Sequence, residues 1–396
     1  MPLSILCLAS YFKGNRFLER LKAEGATVYL LTVEKKLSEP WARQACDEVF
    51  AVNNFSDRKG LINAVSYMMR TRKIDRIVAL DDFDVEVAGC LREHFRIVGH
   101  GDSTARYFRD KLAMREKAAS LGIRIPRFTA LVHHDDVRKF LAEVPAPWLI
   151  KPRGEASAAG IRKLQTADEV WKRIDELGDE QSFQLLEEMV PGDLFHVDSL
   201  VHNNRVIFAE VNAYWRPLLD VYQGGGVYAT RTVKRNKPDV AELRGINARV
   251  LEGFGLGQGA SHTEFMKAHR DGLMYFIETS SRVGGSNTAE MVEAATGINL
   301  WSEWAKLELC RGDAYTLPPT KDRYAGVTVS LSRFETPDTS GFNDPEIVYR
   351  MDLKHHIGLV VAADTPERVE TLLTSYIDRI GRDFAAVMPA ADSVLN

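Results

Sequence analysis

The stretch SHTEFMKAHRDGLMYFIET, residues 261–279, carries two runs rich in apolar residues on either side of a polar segment around Asp271-Gly272. That pattern predicts an antiparallel hairpin with its turn on the polar segment. Glu264 then lies opposite Glu278, Met266 opposite Phe276 and Ala268 opposite Met274, so both carboxylates share one face. Directly opposed residues have Cβ atoms about 4.5–5.5 Å apart, where like charges destabilise a sheet unless something positive lies between them. A hard divalent cation meets that need. Oxygen-only ligands with no nearby cysteine or dense histidine cluster favour Mg²⁺, held by carboxylates and shared with substrate phosphates, over zinc. A register shifted to solvate one glutamate would expose Phe or Met of an otherwise apolar hairpin. By strand alternation His262 shares the face of Glu264, which favours a substrate or phosphate contact over a core histidine.

Directly after Glu278, Ser280-Ser281-Arg282-Val283-Gly284-Gly285-Ser286-Asn287 places an arginine beside a glycine turn. Next to a metal carboxylate, Arg282 suits an anionic group or charge that develops during transfer, while Gly284-Gly285 reads equally as a tight turn alone. Upstream, Lys151-Pro152-Arg153-Gly154-Glu155-Ala156-Ser157-Ala158-Ala159-Gly160-Ile161 runs from an apolar strand into a loop of small residues. Small side chains let backbone N–H groups approach phosphate oxygens, and a lysine at the strand end adds a point charge. No Gly-Lys-Ser/Thr follows, so this is not a P-loop, and a surface hairpin with an incidental lysine has the same pattern.

Toward the N-terminus, LSILCLAS (3–10), a helical pattern from Asn15 to Glu24, TVYLLTV (27–33), a helix near Lys59 to Thr71 and the run Arg76 to Leu80 alternate strand and helix, with Ile97-Val98 closing a further short strand. Such alternation implies a parallel sheet, whose ligands bind beyond the carboxyl ends of the strands. The acidic run Asp81, Asp82, Asp84, Glu86 sits there, either to meet a substrate or as a solvated turn. One helix is expected from Asp102 or Ser103 to Gly122, before Ile125-Pro126. Beyond it PWLIKPRG, FQLLEEMVPG, FHVDSLV and RVIFAEV read as close-set strands around one helix at Ala167 to Leu177, an α+β pattern. From about Gly224 come hairpin signals, with helices at Thr288 to Ala295, Leu300 to Leu309 and Pro366 to Arg379.

The length of 396 residues leaves room for two to four domains at roughly 100–200 residues each. Hydrophobic residues at 45% and charged residues at 27% match a globular protein with substantial cores and exclude wholesale disorder. Lys plus Arg total 51 against 55 Asp plus Glu, without a long basic block, so no nucleic-acid partner is expected. No apolar stretch approaches the roughly 18–20 residues of a membrane span. The start Met1-Pro2-Leu3-Ser4 lacks a basic signal-peptide region, so a cytoplasmic location is expected. Cys7, Cys46, Cys90 and Cys310 show no CxxC spacing and read as reduced thiols.

Taken in this order, the segments resemble the ATP-grasp superfamily of carboxylate–amine ligases. The resemblance covers nearly the whole chain. It implies an α/β, Rossmann-like pre-ATP-grasp domain over 1–110, a linker helix and α+β lid lobe over 111–195, and a C-terminal lobe with the metal and substrate site over 196–396. It also implies ATP and Mg²⁺, or Mn²⁺, as cofactors. Lys111, in Arg109-Asp110-Lys111, and Lys151 match two lysines that contact ATP phosphates, and loop 153–160, with Ser157, Ala158 and Gly160, looks like the phosphate-covering loop. Leu186-Glu187-Glu188-Met189-Val190-Pro191-Gly192 resembles the hinge that holds adenine, with Glu187 toward the amino group and the Glu188 and Val190 backbones toward the ring. Where many members place a ribose-binding glutamate this chain has Leu194, leaving Asp193, His196 or Asp198 as substitutes. Glu264 and Glu278 fall on the two metal carboxylates, Ser280 stands where a third ligand is usually Asn, and Arg282 matches the arginine that steadies the acyl-phosphate and the transition state. The run Glu278 to Gly285, with Ala294-Ala295-Thr296-Gly297, looks most like the L-amino acid ligase and dipeptide synthetase subgroup.

The resemblance implies ATP-dependent amide formation between two small molecules, a carboxylate and an amine, through an acyl-phosphate. Tyr214, Trp215, Arg216, Gly225, His262, Arg282 and Gly285 are the expected substrate residues, with Tyr214-Trp215 equally readable as core. A kinase on the same scaffold and a non-catalytic nucleotide binder are the rivals, the second disfavoured by Glu264 and Glu278. A carboxylase would need a biotin-carrying Met-Lys segment, which nothing here resembles. Ser10-Tyr11-Phe12-Lys13-Gly14 lacks GxGxxG, which disfavours a dinucleotide enzyme. A homodimer is the default oligomer.

Overall fold

Short β-branched and Leu-rich runs near the N-terminus fold into a parallel sheet. The computed structural model describes residues 2–156, 158–219, 221, 225–310 and 315–386. Strands β1 (Ser4–Ala9), β2 (Thr27–Val33), β3 (Glu48–Val52) and β4 (Arg76–Ala79) lie in the order β3-β2-β1-β4, all parallel. Helix α1 (Asn15–Ala23) buries Phe17, Leu18 and Leu21, one stripe of its surface. Helices α2 (Arg58–Met69) and α3 (Val85–Phe95) complete the layer. The strand expected at Ile97-Val98 does not form: α3 ends in a left-handed Arg96 (φ 56°), and Val98 is 71% exposed.

The single helix expected over 102–122 is two, α4 (Asp102–Arg106) and α5 (Lys111–Ser120). Asp110 makes the break, since its carboxylate accepts from the N–H groups of Leu112 (3.0 Å) and Ala113 (3.4 Å) and caps a new helix start. Lys111 therefore opens α5.

A second sheet, antiparallel, takes β5 (Phe128–Ala130), β6 (Trp148–Pro152), β7 (Arg162–Leu164) and β8 (Gln184–Glu188) in the order β5-β8-β6-β7. Helices α6 (His134–Glu143) and α7 (Ala167–Leu177) close its core over Trp148, Ile150 and Leu186, and only α7 is anticipated by the sequence reading. A capping box between Thr166 and Glu169 starts α7.

The third sheet has eight strands: β9 (Gly192–His202), β10 (Arg205–Tyr214), β11 (Tyr228–Thr232), β12 (Gly259–Ala268), β13 (Met274–Ser280), β14 (Tyr324–Leu331), β15 (Ile347–Arg350) and β16 (His356–Ala363). Their order is β13-β12-β9-β10-β11-β14-β16-β15, so the hairpin β12-β13 forms one end of the sheet. The expected boundary at 195 falls inside β9, which belongs wholly to this sheet. Helix α8 (Pro238–Phe254) occupies a segment expected to carry hairpins, followed by α9 (Thr288–Thr296), α10 (Leu300–Leu309) and α11 (Pro366–Asp383).

Apolar packing welds the first sheet to the third. One core unites Leu6, Leu8 and Leu31 with Val197, Val211, Phe265 and Phe276, and another unites Ile5, Leu18 and Val78 with Leu200, Met291 and Val360. Phe17 meets Trp304 edge-on at 4.9 Å. The carboxyl end of β4 is thereby fixed beside the end of β13. Among the described residues no disulfide forms, and burial pushes the Cys7 thiol well up. Among the described residues no helix is long and apolar enough to cross a membrane.

Candidate active site

The hairpin sets the site. Glu264 pairs with Glu278 and His262 with Ser280, but a β-bulge at Ile277 then shifts the register to Phe265 with Phe276, Met266 with Tyr275 and Lys267 with Met274. The expected partners of Met266 and Ala268 are therefore displaced by one residue. The extra residue lets Phe265 and Phe276, both fully buried and 6.0 Å apart, point into the core while both glutamates keep the other face. Arg115 of α5, itself fully buried, donates to the Ile277 carbonyl at the bulge.

That face opens on a cavity of about 660 Å³ between the second and third sheets. Lys111, Lys151, Glu264, Glu278, Ser280 and Arg282 all line it. The like charge of the glutamates is handled separately for each. Lys111 Nζ lies 3.0 Å from Glu278 Oε2 and donates to the Glu155 carbonyl at 2.6 Å. Glu264 Oε1 accepts from the Tyr214 hydroxyl at 2.6 Å and lies 3.6 Å from His262 Nε2. Burial opposes ionisation of Glu264, but His262 and Tyr214 outweigh it and hold its carboxyl below the ordinary range. Two opposed carboxylates and a hydroxyl on one cavity face form an oxygen-only donor set, which fits a hard divalent cation.

Behind this face lies a buried relay. Asp198, fully buried, accepts from His262 Nδ1 at 2.8 Å, His196 Nδ1 at 2.7 Å and Asn212 Nδ2 at 2.8 Å. Burial disfavours the charged ring of His262, yet Asp198 and Glu264 prevail and its pKa is pushed up to about 9. Burial keeps His196 neutral, its pKa lowered despite Asp198. His196, Asp198 and His262 lie close enough for a metal cluster, but Asp198 and His196 are saturated by hydrogen bonds, so the trio reads as a relay that orients His262. Gly284 is required beside it: a Cβ there would lie 2.8 Å from His262 Nδ1 and 3.0 Å from Asp198 Oδ1.

Several expected contacts fall elsewhere. Glu187 lines the cavity, but its carboxylate is engaged inside the wall. It is 1% exposed and shared by Lys151 and by Arg115 Nε at 2.7 Å. Burial opposes its charge, but Arg115 and Lys151 hold it ionised. Glu188 and Val190 both line the cavity, with the Glu188 N–H donating to the Arg127 carbonyl at 2.8 Å and its carboxylate paired with Arg270. His196 offers ribose nothing, since both ring nitrogens are taken, the second by Thr230 at 2.7 Å. Asp193 does line the cavity, at its rim, 3.3 Å from His269.

Tyr214, His262, Arg282 and Gly285 line the cavity, whereas Trp215, Arg216 and Gly225 are not among the residues that line it. Tyr214 ends β10 facing the cavity, so Trp215 turns to the other side, under the Arg231 guanidinium and against the core around Phe342 and Tyr376. Arg216 is exposed. In loop 153–160, Ala158 lines the cavity with a left-handed φ of 60°, Gly160 (φ 70°) lies behind the lining, and Ser157 is outside the described residues. Arg109 and Tyr228 line the cavity although neither is on the expected contact list, and Asp82, only one member of an acidic run in the sequence, reaches it from the first sheet.

No family model matches the chain. An L-arginine-specific L-amino acid ligase of Bacillus subtilis is 23% identical over 310 residues, 77% of this chain and 74% of that protein. The crystal structure of an L-amino acid ligase from Bacillus licheniformis superposes with a TM-score of 0.76 at 16% identity, over 95% of this chain and 97% of the other. N5-carboxyaminoimidazole synthetase from Staphylococcus aureus, complexed with ADP, gives 0.74 at 15% identity over 95% and 98%.

Proposed function

We propose that this chain, which has the ATP-grasp fold, is an ATP-dependent carbon–nitrogen ligase joining a carboxylate to an amine through an acyl-phosphate, with release of ADP and phosphate. One observation carries the reading: the opposed glutamates Glu264 and Glu278 share one cavity with Lys111, Lys151 and Arg282. No serine or cysteine nucleophile is needed, because phosphoryl transfer depends on positioning and charge neutralisation. The relatives' names add amino acids as the class of carboxylate donor.

Lys111 and Lys151 meet the polyphosphate of ATP from two sides, and the loop over 153–160 covers it and excludes water. Val190 with Leu149, Met266 and Ile277 gives the base an apolar slot. A divalent cation, Mg²⁺ or Mn²⁺, held by Glu264, Glu278 and Ser280 would supply the positive charge that phosphoryl transfer to the substrate carboxylate requires. Arg282 steadies the negative charge that builds on the activated carboxylate as the amine attacks it. Tyr214, by a hydrogen bond, and His262, as an ion-pair partner at 3.6 Å, hold Glu264 in place.

ADP release is to be measured with ATP and Mg²⁺ across amino acids, small acids and amines, singly and in pairs, beside Glu278→Gln. Turnover requiring one acid and one amine, and at least about 100-fold slower in the variant, is expected. A stable phosphorylated product from a single acceptor would replace the ligase by a kinase.

A further inference from the structure

Helix α5 sends two cations toward β13 from one face. Lys111 and Arg115 are four residues apart, so they lie on the same side of the helix. Lys111 Nζ lies 3.0 Å from Glu278 Oε2, and Arg115 donates to the carbonyl of Ile277, the residue before it, at the bulge. Lys111 lines the cavity. Arg115 is fully buried and is not among the lining residues, so it acts on the cavity only through other groups.

Those groups come from different sheets. One end of the guanidinium reaches the second sheet, where Arg115 Nε donates to Glu187 Oε2 at 2.7 Å while Lys151 takes Glu187 Oε1. The other end reaches the third sheet through the Ile277 carbonyl. Burial opposes the charge of Glu187, but Arg115 and Lys151 hold it ionised, so two cations share one carboxylate and the trio keeps one net positive charge. Without Arg115 the carboxylate would cancel Lys151 and leave the wall beside it neutral. Charge held in a dry wall is little screened and acts on phosphates that it does not touch.

We propose that Arg115 is a positioning residue for nucleotide and cation alike: through Glu187 it leaves the Lys151 ammonium a surplus of charge for the phosphates, and through the Ile277 carbonyl it fixes the bulge that turns Glu278 toward the divalent cation. The inference rests on the ATP and metal reading of the cavity, and not on which bond the enzyme forms. The rival is a purely structural part in the core, where the guanidinium stands 6.0 Å from the Phe276 ring centroid. Affinities separate the two.

ADP without metal, and Mn²⁺ without nucleotide, are to be titrated calorimetrically into wild type, Arg115→Met, Arg115→Lys and the double variant Arg115→Met with Glu187→Leu. Arg115→Met removes both arms, so each ligand should bind at least about 10-fold more weakly. Arg115→Lys keeps the charge beside Glu187, but a single ammonium lacks the fork that also reaches the Ile277 carbonyl. ADP should then bind within about 3-fold of wild type while Mn²⁺ stays weak. The double variant returns the wall to the one charge of Lys151, so ADP should recover at least about 3-fold over Arg115→Met while Mn²⁺ does not. Should Arg115→Met fail to fold, the split between ADP and Mn²⁺ in the other two variants decides. Affinities within about 2-fold of wild type in every folded variant overturn the inference and leave Arg115 to the core, as does equal weakening of both ligands by Arg115→Lys. Wild type that binds neither ligand overturns the ATP reading itself, and the inference with it.

Discussion

Glu187→Gln separates two roles for the same residue. If Glu187 faced the adenine amino group, the change would weaken nucleotide binding and leave the fold nearly untouched. The structure instead makes Glu187 the shared counter-ion of Arg115, fully buried, and Lys151, 6% exposed. An amide of the same shape removes the charge and leaves two cations facing each other in a dry wall. Breaking a buried pair by removing one partner costs about 3–5 kcal/mol. With an unfolding entropy of about 2.1 cal/mol/K per residue, a chain of 396 residues gives roughly 0.8 kcal/mol/K, so the melting temperature should fall by about 4–6 °C.

The assay is thermal unfolding followed by far-ultraviolet circular dichroism, paired with calorimetric titration of ADP. Arg115→Met combined with Glu187→Leu supplies the counter-test, because apolar replacement of a buried pair is often neutral. The double variant should lose less stability than Glu187→Gln alone, with a coupling energy above about 0.5 kcal/mol. Glu187→Gln melting within about 1 °C of wild type, with weakened ADP binding, would refute the ion-triad reasoning and restore the adenine contact.

His262 should titrate near pH 9 by nuclear magnetic resonance, and Asp198→Asn should bring it back toward or below the ordinary imidazole value of about 6.5. Because the folded protein holds this proton more tightly than the unfolded chain, its stabilisation is complete below about pH 6.5 and is lost as the pH rises through about 9. Urea unfolding across that window should show the loss in wild type and not in Asp198→Asn. Gly284→Ala should destabilise by about 1–3 kcal/mol and disturb the same titration, since the new Cβ meets His262 and Asp198.

The hairpin was legible because apolar residues flank a turn, and the pairing of Glu264 with Glu278 needs only the turn position. Its bulge was not: one extra residue at Ile277 leaves composition and turn unchanged, and what selects it is the core that Phe265 and Phe276 enter together. Helix α8 carried readable signals, Pro238 at its start and Gly255 beyond its end, with Val240, Leu243, Val250 and Leu251 on its buried face. Hairpin-like glycines just upstream outweighed them. Trp215 was separable from Tyr214 only by knowing where β10 ends. The break between α4 and α5 is a local signal, since Asp110 is a good cap in the sequence itself.

The remaining differences are of another kind, because they concern pairs far apart in the chain. Lys111 meets Glu278, Arg115 meets Glu187, Lys151 meets the same Glu187, and Arg282 meets Asp82 200 residues away. A local pattern names the residue type that chemistry needs but not the counter-ion that aims it. In a cavity wall a cation without a carboxylate would either lose charge or swing toward water, so each partner holds its cation in place. Asp82 follows the same logic with one difference. Asp82 comes from the loop after β4, so the first sheet and not the neighbouring strands of the hairpin supplies the counter-ion that aims Arg282.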